Sequence, residues 1–183
     1  MVSPMAKITQ EKRGHLMLIG FDRPEKMNAF DMDMLGELSA AFTELERDEE
    51  ARCAVVFANG DHFTAGLDLA NVAPVVMEGK MPFATDGIDP WGVHGKQRSK
   101  PAVAAVHGRC LTLGIELCLA MDVVVAATST RFGQIEIKRG FFRSAGRRSG
   151  SCRRPAGRTR CAGCSPATSS APRRLIESGS FRR

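Results

Sequence analysis

Beyond Phe142 the chain holds only three large apolar residues, Leu175, Ile176 and Phe181, so any core must be built from residues 1–142. That length is sufficient for one domain with a sizeable interior. Charge divides at the same point. Residues 143–183 carry eleven Arg, no Lys and one acid, Glu177, a net of +10. Residues 1–142 carry 15 basic and 19 acidic side chains, a net of −4, so the overall +6 describes a mildly acidic domain with a basic tail. An Arg-, Ser- and Gly-rich tail cannot offset the entropy of ordering and is expected to be disordered.

No run of eighteen apolar residues spans a membrane, and the N-terminal MVSPMAKITQEKRG lacks the apolar stretch of a signal peptide. A cytoplasmic location is expected. Cys53, Cys110 and Cys118 lie in apolar settings and Cys152, Cys161 and Cys164 in the tail. Reduced thiols and no disulfide framework are expected. Cys161 and Cys164 with the distant Cys152 and no nearby His fall short of a zinc ligand set. His15, His62, His94 and His107 have no metal-ligand spacing, and no metal is expected.

HLMLIGFD, residues 15–22, reads as a strand, and RPEKMN as a loop broken by Pro24. Asp31 is placed to cap a helix, because its carboxylate accepts from unpaired N–H groups of the first turn. Met34, Leu35, Leu38, Ala41, Phe42 and Leu45 then recur at three- and four-residue intervals and define one apolar face. Residues 51–60, 101–108 and 122–128 read as further strands, with a buried helix in LTLGIELCLAMD between the last two. Strands alternating with helices predict an α/β fold with largely parallel pairing. Residues 71–100, with Met, Pro and Gly and no steady period, predict a mobile loop.

Three segments carry possible chemistry: FTAGLDL at 63–69, HGRCLTLGIEL at 107–117 and FGQIEIKRG at 132–140. Each has a plain reading. Ala65-Gly66 could serve close packing, Glu116 could face solvent, and Glu136 could pair with Lys138 or Arg139.

Together with DRPEKMNAF they resemble, in order and spacing, the crotonase superfamily (enoyl-CoA hydratase/isomerase family) over residues 10 to 142. The resemblance implies an α/β, crotonase-like ββα spiral core spanning 1–142. It further implies that the N–H groups of Leu67 and Leu113 form an oxyanion hole for a thioester carbonyl, where developing enolate charge is stabilised. Leucine stands at 113 where the family often has glycine, and only its N–H is required. Glu116 and Glu136 match the family's acid/base pair, and Lys26, Asn28, Ala65, Gly66, Asp68, Leu69 and Gly114 the substrate- and CoA-binding positions. The implied reaction is hydration of an enoyl-CoA, with isomerisation or another crotonase-family reaction as the alternative. No cofactor is implied beyond the coenzyme A of the acyl-CoA substrate, and the assembly implied for a full-length chain is a homo-trimer or dimer of trimers.

Family members continue past this point with helices that cover the acyl pocket and make trimer contacts, whereas residues 143–183 do not match that C-terminal helical region. Read two nucleotides later with G- or C-ending codons, the segment from Ser151 gives a string with helical periodicity and balanced charge that resembles the family. The tail is therefore expected to be disordered or out of frame. The alternatives are an inactive truncated remnant and, with little aromatic interleaving to favour it, an RNA-binding arm that neutralises phosphates.

Overall fold

The protein is described by a computed structural model over residues 6–78, 87–93 and 95–135 and, as backbone, Leu175–Glu177. Strands β1 (Ile8–Arg13) and β2 (Leu16–Phe21) form an antiparallel hairpin through Gly14, whose φ of 59° suits glycine. A 3-10 turn at Pro24–Lys26 leads into α1 (Met32–Arg47), and β3 (Cys53–Ala58) follows. After α2 (Leu69–Met77) come β4 (Ala102–Val106), β5 (Arg109–Leu111), α3 (Leu113–Ala120), β6 (Val123–Ala126) and β7 (Arg131–Gly133). The main sheet has the order β1-β2-β3-β4-β6-β8, where β8 is Leu175–Glu177, and every pair beyond the hairpin is parallel. β5 and β7 form a separate parallel pair.

Alternate strand residues fix where the core lies. Met17, Ile19 and Phe21 of β2, Ala54 and Val56 of β3, and Ala102, Ala104 and Val106 of β4 are buried. They join the α1 face of Met34, Leu35, Leu38, Ala41, Phe42 and Leu45 in one cluster. Burying a side chain the size of Phe42 or Leu45 stabilises by about 1.5–3 kcal/mol. Asp31 caps α1 as its sequence position requires, accepting from Met34 N–H at 3.0 Å.

Two expectations need correction. Residues 71–100 do not form one structureless loop. Residues 71–77 belong to α2, which tolerates Pro74 in its interior, and Ile88 and Trp91 enter the core. Their burial, which no sequence period announces, holds residues 87–93 against the core. The second departure is in the tail, where Leu175–Glu177 pairs with β6. The free edge of β6 offers unpaired backbone groups, and Leu175-Ile176 is the tail's only pair of adjacent large apolar residues. The rest of 143–183 lies outside the described residues. Among the described residues, no helix is long and apolar enough to cross a membrane, and no His, Cys, Asp and Glu group could hold a metal.

Candidate active site

The loop after β2 turns through two consecutive left-handed residues, Met27 (φ 49°) and Asn28 (φ 52°). Asn28 is fully buried. Its side chain accepts from Arg23 N–H at 2.8 Å and donates to Asn59 O at 2.9 Å and His62 O at 2.8 Å. It thereby ties this loop to the chain leaving β3. Thr64, also buried, donates its hydroxyl to Asn28 O at 2.7 Å and receives Gly66 N–H at 3.0 Å. A single-residue parallel bridge then joins Phe30 to Leu67: Phe30 N–H donates to Gly66 O and Asp68 N–H to Phe30 O, both at 2.8 Å. These bonds bracket Leu67, and the alternation of a parallel ladder turns its own N–H to the opposite edge.

The second segment meets the first here. Thr64 N–H donates to Arg109 O at 3.1 Å, and Leu111 N–H to Thr64 O at 3.0 Å. Thr112, with φ 47°, turns the chain sharply into α3, whose first residue is Leu113. N–H groups of a first helical turn have no intrahelical acceptor. Among the described residues, neither Leu67 N–H nor Leu113 N–H finds one. The contact is close because it is made by small residues. A β-carbon on Gly66 would collide with Thr112 Oγ1, and one on Gly114 with Thr64 Cγ2.

Glu116 lies three residues into α3 and is 4% exposed, which removes the solvent-facing reading. Burying an ionisable carboxylate is costly, and such groups concentrate at functional sites. Glu136 lies outside the described residues. Ala65 is half-buried, and its N–H donates to Met27 O at 2.9 Å. Asp68 occupies the N-cap position of α2, and its carboxylate accepts from Arg23 Nη1 at 3.0 Å. Leu69 begins that helix, and Lys26 is exposed on the first loop.

Arg23 escaped the sequence reading. The same Nη1 donates to Ala29 O at 2.9 Å and lies 3.4 Å from Asp31 Oδ2, so one guanidinium clamps both sides of the Phe30–Leu67 bridge. The only signal was an Arg beside the loop residue Pro24, and a single sequence cannot connect it to Asp31 and the distant Asp68. Burial alone would raise the Asp31 carboxyl. Hydrogen bonds from Lys7 Nζ and Met34 N–H, with the Arg23 and Lys7 charges, outweigh it and hold the group below its ordinary value. Cys110 and Cys118 are buried free thiols with sulfurs 3.9 Å apart, and their hydrogen bond and burial push the Cys110 thiol well up.

A parallel sheet flanked by helices, with a glycine turn and a helix entry interlocked beside a buried glutamate, defines a crotonase-fold protein. A probable enoyl-CoA hydratase/isomerase from Mycobacterium abscessus superposes with a TM-score of 0.73 at 46% identity, covering 76% of this chain and 54% of that one. A carnitinyl-CoA dehydratase from Mycobacterium avium gives 0.65 at 34% identity, covering 76% and 54%. Among curated relatives, the mevalonyl-coenzyme A hydratase SIDH of Beauveria bassiana is 34% identical over 139 residues, 72% of this chain and 50% of that protein. The probable enoyl-CoA hydratase echA8 of Mycobacterium bovis is 32% identical over 133 residues, 73% and 51%. The family profile "Enoyl-CoA hydratase/isomerase" matches residues 11–162, running past Phe142 into the basic segment. The chain belongs to the enoyl-CoA hydratase/isomerase family, and it spans about half the length of the curated relatives it matches.

Proposed function

We propose that the protein is an enoyl-CoA hydratase-type lyase that adds water across the 2,3 double bond of an enoyl-CoA thioester. Leu67 and Leu113 N–H donate to the thioester oxygen. As the water oxygen bonds to C3, electrons move through the conjugated system onto that oxygen and form an enolate, which the two fixed donors stabilise. Of Glu116 and Glu136, one accepts the water proton and the other supplies the proton that forms the new C2–H bond. The thioester is the electron sink, so this reaction calls for no separate cofactor or metal. Lys26 would meet the CoA phosphates, and Asn28, Ala65, Gly66, Asp68, Leu69 and Gly114 would shape the path of its pantetheine arm. For a full-length chain, a homo-trimer or dimer of trimers is the proposed assembly.

The observation that carries the reading is the burial of Glu116 one turn into the helix that begins at Leu113, where that helix interlocks with the Gly66–Leu67 turn. Crotonyl-CoA tests it, because hydration removes the conjugated enoyl-thioester absorbance. Glu116→Gln is expected to slow that loss by about 10²–10⁴-fold, and wild-type turnover in the variant would withdraw Glu116. A 3-enoyl-CoA separates the isomerase alternative, since isomerisation creates the same absorbance instead of removing it.

A further inference from the structure

We propose that Trp91 is a positioning residue that sets the spacing between the Leu67 and Leu113 N–H groups, an inference that rests on the oxyanion role proposed for that pair. Trp91 is the chain's single tryptophan and is 5% exposed. A buried indole needs a partner for its N–H. Here the partner is the carbonyl of one of the two donor residues, because Trp91 Nε1–H donates to Leu113 O at 3.1 Å.

The same ring meets Phe30 edge-on, with centroids 5.8 Å apart and planes at 81°. Phe30 supplies the backbone N–H and C=O that bracket Leu67. Its ring in turn packs edge-on against Phe21 of β2 at 5.2 Å, which anchors the contact in the main sheet. Trp91 thus touches both halves of the site, one through a directional hydrogen bond and the other through a packed ring.

The turn that presents the indole is itself fixed. Buried Asp89 accepts from Trp91 N–H at 2.9 Å and from Val93 N–H at 2.6 Å, and its own N–H donates to Lys96 O at 2.9 Å. An oxyanion hole acts only when both donors are aimed at one point, and a displacement of about 1 Å at a reacting centre can cost about 100-fold. A brace between the two donor segments therefore acts on enolate stabilisation more than on ordinary substrate binding.

Two measurements test this. The first needs no variant and no turnover. One tryptophan gives one indole N–H resonance, and in the wild-type chain its exchange with solvent should be far slower than that of an exposed indole; exchange at the exposed rate overturns the brace. The second compares Trp91→Phe with wild type by calorimetric titration of butyryl-CoA and of acetoacetyl-CoA, whose acidic 1,3-dicarbonyl mimics the enolate. The phenyl ring keeps the aromatic packing and loses the donor. The preference for acetoacetyl-CoA should fall about tenfold or more while butyryl-CoA affinity stays within about twofold. An unchanged preference, or an equal loss for both ligands, overturns the proposal. A wild-type chain with no preference would withdraw the oxyanion reading and the proposal with it, a failure distinguishable from fast indole exchange.

Discussion

Gly66 and Thr112 occupy adjoining space so tightly that a β-carbon on Gly66 would overlap Thr112 Oγ1 and stand 3.3 Å from Leu111 O. Each residue immediately precedes a proposed enolate donor, so their contact sets how the two segments meet.

Gly66→Ala tests that contact directly. Gly66 has φ 90°, a conformation that an L side chain adopts only under strain, and alanine adds the collision. Crotonyl-CoA hydration is expected to fall by at least about 100-fold, with the far-UV circular dichroism unchanged. Full activity in this variant would show that the two segments adjust freely.

Asn28→Ala probes the first loop. The substitution leaves the Asn59 and His62 carbonyls and the Arg23 N–H without their partner. It also places alanine at φ 52°. Each buried polar group left unpaired costs about 1–3 kcal/mol, so a loss of at least about 2 kcal/mol is expected. Urea unfolding reads it as a lower midpoint at constant slope.

Asp31 makes stability depend on acid. Its folded carboxyl lies below the ordinary 3.8, so its contribution is complete above that value and disappears as pH falls through the lower folded value. Asp31→Asn keeps a capping oxygen and removes the charge that pairs with Lys7 at 2.7 Å and Arg23 at 3.4 Å. Below about pH 4 the wild-type midpoint should therefore drop towards that of the variant. Parallel curves would remove Asp31 from the acid response.

Cys110 should be inert in the native protein. Its hydrogen bond with Cys118 and its burial hold it as the neutral thiol, while alkylation requires the exposed thiolate. Peptide mapping after iodoacetamide treatment near pH 8 should find Cys110 and Cys118 unmodified until denaturant is added, with the half-buried Cys53 the first of the three to react. Early labelling of Cys110 would reveal local opening between β5 and α3.

Periodicity made α1 legible, and the four parallel strands β2, β3, β4 and β6 were readable as apolar runs. β1 was not legible because ITQEKR is an edge strand with four exposed residues and no alternating apolar pattern. α2 was hidden by Pro74 and by a composition apolar on every side, with only Val72 buried. At the candidate site, Gly66, Leu67, Leu113 and Glu116 stand in short motifs and could be named directly. Arg23 and Trp91 act across long separations, to Asp68 and Leu113, and neither partner lies in the same motif. Asn28 was named from its motif, but its bonds to the backbone of Arg23, Asn59 and His62 join segments that no sequence pattern links.

The bridges Phe30–Leu67 and Thr64–Cys110 are each one residue long and stand outside the six-stranded sheet. Both nonetheless belong to the interior, because Phe30 and Cys110 are fully buried in the same cluster as the strands of the sheet and α1. A bridge that parts would uncover part of that interior, so its loss should register in a melting curve. Substitutions here therefore have to be ranked by heat and by ligand binding together, so that lost interior packing is told apart from a change at the proposed donors.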